Sequence, residues 1–250
     1  MREEQIALQI WTVRDYLERD FAGALAQLAD LGYRAIEFGE LPVQPGVFRG
    51  ILNDIGMKAV ARHINVAECL ADVNRFLEES LEIGYRDFVC SGLLGELRGS
   101  LDGYREFAEQ LNEASRTLAE HGVRLSYHNH HFEFDLHDGE RGYDHLFARL
   151  SPAVNAELDV YWLARAGRDP VEYIQELSGR TPLIHMKDME PGEDGFFAEI
   201  GEGVLDIPGI IAAADSAGAE WYIVEQDECR RDTMQSVRMS YDYLAQLCEE

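Results

Sequence analysis

Cysteine is sparse in this chain of 250 residues, and the four present (Cys69, Cys90, Cys229 and Cys248) are scattered with no C-x-x-C pair. That spacing speaks against a cysteine zinc site or a disulfide framework and suits a reducing compartment. Long apolar runs are missing too, since none approaches the ~20 residues of a membrane span. The opening "MREEQIALQI" has no basic segment leading into an apolar core, so a secretory signal is not expected and a cytoplasmic location is. Positive charge is the third shortage. Lys and Arg number 22 against 47 Asp and Glu, a formal net charge of −25. A surface that acidic repels polyanions, so nucleic acid and anionic membrane are not expected partners. It also works against a highly phosphorylated substrate unless arginines gather locally. No linker rich in Pro, Gly or Ser interrupts the chain, and residues 1–250 read as a single domain.

What the chain does have is repetition. Short β-rich runs recur at "IALQI" (6–10), "AIEF" (35–38), "KAVAR" (58–62), "DFVC" (87–90), "RLSY" (124–127), "NAEL" (155–158), "LIHM" (183–186) and "WYIV" (221–224). Most are separated by segments with apolar residues three and four apart, such as "FAGALAQLADLG" and "GYREFAEQLNEASRTLAEHG". Several of these close on Gly just before the next run ("LGYR", "IGMK", "IGYR", "HGVR", "AGAE"), the stop signal of a helix. Strand and helix alternating eight times predict a parallel sheet covered by helices. At this length, closure into a (β/α)8 TIM barrel is the leading architecture, with a doubly wound open sheet as runner-up.

In such barrels chemistry sits at the C-terminal ends of the strands. Those ends carry Trp11, Glu37, His63, His128, His130, Asp159, His185, Lys187 and Glu225. Side chains two apart share a face of a strand. Ser126, His128 and His130 therefore point together, as do Glu157 with Asp159, His185 with Lys187, and Glu225 with Asp227. A barrel rim can thus gather His128, Asp159, His185 and Glu225 from four consecutive strands. Two imidazoles and two carboxylates suit Mn, Co, Zn, Fe or Ni better than a pure Mg or Ca cage. Each residue also has an ordinary reading: Asp159 as a helix cap, His185 as a core histidine in "LIHM". Glu225 follows four apolar or aromatic residues, a costly place for a carboxylate without a partner. On strand five, His130 and Glu133 compete with His128. Glu157 is either a partner behind the metal ligands or one half of an ion pair with Lys or Arg. His121 and His145 read as surface histidines.

Longer stretches carry these residues. In order, "LQIWTVRD", "GYRAIEFGE", "YHNHHFEF", "ELDVYWLARAGRDP", "IHMKDM", "IGEGVLDIPGII" and "YIVEQDE" resemble the xylose-isomerase-like sugar isomerase/epimerase family over about residues 6–245. The resemblance implies a TIM barrel with a divalent metal at its C-terminal rim, acting on a sugar, keto-sugar or related polyol. It implies ligands Glu, Asp, His and Glu from successive strands, of which the last three match Asp159, His185 and Glu225. The first does not match: strand five carries His128 in "SYHNHH". In the epimerases that glutamate is one of two acid/base groups. Its replacement leaves Glu225 as carboxylate base, with His128, His63 or Lys187 to supply a proton or polarise an oxygen. The YHNH form is similar to a subgroup whose chemistry is isomerisation, epimerisation or elimination on sugars or keto-glycosides. Trp11, Trp162, His63 and Glu37 are the expected substrate contacts. The expected cofactor is one divalent ion (Mn, Co, Zn, Fe, Ni or Mg). The expected partner is a small sugar, with self-association into a homo-oligomer an open expectation. Two rivals remain: a DNA hydrolase resembling endonuclease IV, disfavoured by the charge of −25, and a catalytically silent barrel, disfavoured by the retained Asp159, His185 and Glu225.

Overall fold

The eight runs form eight strands: β1 (Ile6–Gln9), β2 (Ala35–Phe38), β3 (Lys58–Ile64), β4 (Asp87–Cys90), β5 (Arg124–His128), β6 (Val154–Asp159), β7 (Leu183–Met186) and β8 (Trp221–Val224). The computed structural model describes residues 1–93 and 95–249. Every strand pairs in parallel with its neighbours in the chain, and β8 returns to β1 through Ile6↔Tyr222, Ala7↔Ile223 and Leu8↔Val224. That closure rules out the open sheet. Parallel neighbours need long crossovers, which helices such as Phe21–Leu31, Val73–Ile83, Leu101–Ala119 and Ile207–Ala217 supply. Their starts are capped by Asp20, Asp72, Ser100 and Asp206, each accepting from a backbone N–H three residues on. The first helix ends at Gly32, whose φ is +119°. A Cβ there would also lie 2.4 Å from the Tyr241 ring.

The barrel interior changes character along its axis. At the bottom, Ala7, Ala35, Ala61, Val89, Leu183 and Ile223 form a small apolar cluster. Two residues further along the same strands stand Gln9, Glu37, His63, Ser91, His185 and Glu225. Strand alternation thus stacks a polar layer directly on an apolar floor. Strand stagger sets the depth of each group. Glu157 pairs in register with Leu183, while Asp159 pairs with His185, so Glu157 lies one step deeper. β3 runs two residues past its expected end, which keeps His63 inside the strand. Two short hairpins, Leu136–His137 with Glu140–Arg141 and Asp188–Met189 with Phe197–Ala198, have no signal in the periodicity.

Cys69, Cys90, Cys229 and Cys248 are all free. Among the described residues no helix is long and apolar enough to cross a membrane. His145, expected at the surface, is buried at 8% exposure beside Glu140, 2.8 Å from its Nδ1. The helix Gly142–Phe147 packs that face inward among Tyr143, Leu146 and Phe147, which the lone residue did not reveal.

The loop after β7 is pinned by one carboxylate. Buried Asp188 accepts from the backbone N–H groups of Met189 (2.8 Å), Gly201 (3.0 Å), Gly203 (3.0 Å) and Leu205 (3.1 Å). A Cβ on Gly203 would fall 2.2 Å from Asp188 Oδ1, so the close approach requires glycine. Asp188→Ala leaves these donors without their acceptor, and a loss of about 3 kcal/mol is expected in denaturant unfolding. A midpoint unchanged from wild type would remove Asp188 from this role.

Candidate active site

The strand ends bring His128, Asp159, His185 and Glu225 together at one level, with ligand atoms all within 4.8 Å of one another. His185 Nδ1 lies 3.0 Å from Glu225 Oε2 and 4.0 Å from Asp159 Oδ2. His128 Nε2 lies 3.7 Å from Asp159 Oδ2. Of the strand-five candidates, only His128 points here. The chain leaves β5 at His128 and turns into the short helix Phe132–Phe134. Glu133 is turned away and occupied by the Tyr127 hydroxyl (2.6 Å) and the His130 N–H (2.9 Å). Burial pushes its carboxyl up to about 7. His130 instead lines the large cavity described below.

A second set of groups lies behind the imidazoles. His185 Nε2 is 2.6 Å from Glu37 Oε2 and 3.2 Å from Glu157 Oε2. His128 Nδ1 is 2.9 Å from Glu157 Oε2. His63 Nε2 joins the two carboxylates, 3.0 Å from Glu37 and 3.1 Å from Glu157. Gln9 donates to Glu37 at 3.0 Å. Each imidazole of the quartet is therefore held from behind by a carboxylate, which fixes the orientation of the ring and aims its other nitrogen into the quartet. Glu157 pairs with histidines rather than with Lys or Arg. Gln9 carried no signal in the sequence except its place two residues beyond Ala7.

The field here favours a cation. Burial works against charge on His185, yet Glu157, Glu37 and Glu225 outweigh it and raise its pKa well above the ordinary value. Lys187 behaves alike: Asp159, Glu225 and Asp227 overcome its burial. Its Nζ stands 2.9 Å from Asp159 Oδ2, 2.6 Å from Glu225 Oε2 and 2.6 Å from Asp227 Oδ2. Burial pushes Glu225 upward, but Lys187 and His185 hold it well below the usual carboxylate range. Asp159 Oδ2 is buried and, despite Lys187 nearby, makes no hydrogen bond of good geometry.

A cavity of about 910 Å³ reaches two members of the quartet, His128 and Glu225, and is lined beside them by Gln9, His63, Ser91, His130 and Asp227; Asp159, His185 and Lys187 lie buried behind that lining. Trp11 stands on its wall and is 55% exposed. Glu37 and Trp162 do not line it. Glu37 is enclosed beneath His185. Trp162 packs its ring 5.1 Å from His131 and 5.7 Å from Phe197 (centroid distances), with Lys187 Nζ 5.6 Å from its centroid.

Comparison with known proteins agrees with this architecture. The family described as xylose isomerase-like TIM barrel matches residues 25–245. The inosose dehydratase of Geobacillus thermodenitrificans is 25% identical over 158 residues, 55% of this chain but only 52% of that protein. A sugar phosphate isomerase/epimerase from Parabacteroides distasonis superposes with a TM-score of 0.85 at 22% identity, covering 96% of this chain and 97% of that one. The IOLI protein, solved with a zinc atom, superposes with a TM-score of 0.78 at 15% identity over 98% of both chains. At such identities the solved structures speak for the fold alone. The family match covers most of the chain, and proteins that share the fold carry names as different as L-ribulose 3-epimerase and AP endonuclease. This chain belongs to the xylose isomerase-like TIM-barrel family.

Proposed function

We propose that the chain is a metal-dependent isomerase or epimerase of a sugar or keto-sugar, working by proton transfer at the carbon beside a carbonyl. The observation that carries this reading is the buried quartet His128, Asp159, His185 and Glu225, of which His128 and Glu225 line the cavity. The donor set fits a divalent ion. Two imidazoles are braced from behind, Asp159 Oδ2 lacks a well-formed hydrogen bond, and the local field favours positive charge. The IOLI protein, which shares the fold, was solved with a zinc atom, and this supports a metal-binding reading. When bound, the ion supplies Lewis-acid polarisation of a substrate carbonyl and so acidifies the adjoining C–H.

Glu225 takes the proton, since it lines the cavity and is kept ionised beside Lys187 and His185. Lys187, 2.6 Å from Glu225, delivers a proton or steadies a developing oxygen charge. His63 and Trp11 contact substrate from the cavity wall. His130 faces the same space. Burial, then the Lys187 charge, push its pKa down to about 3, which keeps a neutral imidazole there to bond a hydroxyl. Glu37 orients His185, and Trp162 backs Lys187; neither reaches the substrate in this reading. Elimination is the second reading, favoured by the dehydratase among the relatives, and it begins with the same proton removal.

Metal analysis with a screen of keto-sugars for deuterium uptake from solvent tests the proposal. A bound divalent ion with exchange into one of them is expected, and release of water or an alcohol alongside exchange assigns elimination. A protein that takes up no metal, or a loaded one that exchanges no keto-sugar, overturns it. The bracing carboxylates give a separate check. Glu157→Gln is expected to weaken metal binding by about 10–100-fold in a chelator competition. An affinity equal to wild type would leave Glu157 no part in orienting His128 and His185.

A further inference from the structure

We infer that the substrate is an uncharged sugar carrying a bulky apolar substituent, seated in the outer half of the cavity. This rests on the sugar reading above and names its substrate class. The cavity has two unlike halves. The inner half holds the imidazoles and carboxylates already described. The outer wall is Trp11, Leu17, Phe21, Leu41, Pro42 and Val43, from the segments that follow β1 and β2. The cavity volume of about 910 Å³ is near the top of the ~300–1,000 Å³ that encloses drug-sized ligands, more room than a single sugar ring needs. The wall is also held in place. Arg14 donates to Trp11 O and to Asp227 O, both at 3.0 Å, and its guanidinium carbon lies 4.6 Å from the centroid of the Trp11 indole. An indole fixed in this way while 55% exposed is a preformed apolar platform.

The charges of the cavity speak against a phosphorylated sugar. Among the described residues Arg14 is the only Lys or Arg on its lining, and it is engaged with two backbone carbonyls, while Lys187 behind the lining is held by Asp159, Glu225 and Asp227. The same lining carries Glu18, Glu40, Glu225 and Asp227. Phosphate recognition calls for converging cationic donors, and none converge here. The relative named for sugar phosphates shares the fold, and this cavity's charge pattern differs from what that name requires.

The test uses metal-loaded protein and a neutral fluorescent probe, N-phenyl-1-naphthylamine. The probe should bind with one-to-one stoichiometry. Leu41→Asp and Val43→Asp should each weaken it roughly tenfold or more, with metal content unchanged and the protein still folded at the assay temperature. Phenyl hexosides, matched methyl hexosides, phenol and hexose phosphates then compete for the probe. At least one phenyl hexoside should displace it about ten- to hundredfold better than its methyl partner, and better than phenol. Probe binding that survives both substitutions overturns the subsite. So does a hexoside series in which phenyl and methyl are equal, or a hexose phosphate that outcompetes them all. If the probe binds but no hexoside outdoes phenol, the sugar reading itself falls and this inference falls with it.

Discussion

Glu225→Gln is expected to lower solvent deuterium exchange into the keto-sugar substrate by about 10²–10⁴-fold at saturating metal, the range that a positioned general base contributes. Glutamine keeps the shape of the side chain and one oxygen, but it cannot accept a proton at neutral pH. Glu225 is well placed for the role: it lies at the end of the apolar strand Trp221–Val224, reaches the cavity, and is held ionised by Lys187 and His185 against its own burial. The same residue is a proposed metal ligand, so metal content must be measured alongside exchange. A variant that binds metal poorly yet recovers the wild-type exchange rate when metal is supplied in excess would make Glu225 a ligand only. The search for the base would then move to His130, which shares the cavity.

Asp159→Ala and His185→Ala are expected to lose most of the bound divalent ion, because each removes one of four donors gathered within 4.8 Å. His185→Ala has a second consequence. It leaves Glu37 without its closest imidazole, at 2.6 Å, with His63 and the neutral Gln9 amide as its remaining partners, while Glu157 keeps His63 and His128. A lower melting temperature of the metal-free protein is therefore expected for His185→Ala, from an uncompensated buried charge. Asp159→Ala removes a negative charge beside Lys187, which keeps Glu225 and Asp227, and should disturb the metal-free fold less. Elemental analysis after gel filtration reads the first effect and thermal unfolding of the metal-free proteins reads the second. Full occupancy in either variant would remove that residue from the metal site.

Much of this molecule is legible without coordinates, and the reason is local. Eight strand and helix units show in periodicities of two and 3.6, and glycines such as Gly32, Gly84 and Gly218 mark helix ends in a left-handed conformation. The alignment of Asp159, His185 and Glu225 follows from the same arithmetic, because polar residues at successive strand ends of a parallel barrel share one rim. Composition alone told against polyanions.

Tertiary structure decided what depends on register between distant segments. The choice among His128, His130 and Glu133 turned on where β5 stops and on Tyr127 and the His130 N–H occupying Glu133. Glu37 and Glu157 read as a rim group and an open alternative in the chain, yet barrel stagger sinks both beneath the imidazoles, where His63 joins them from the cavity wall. Trp162 and Trp11 look alike as aromatic residues near strand ends. Only packing separates the one set against His131 and Phe197 from the one on the cavity wall. The periodicity of a strand states which side chains share its face; how far each strand slides past the next is set by closure of the whole barrel, and that shear is a property of all eight strands at once.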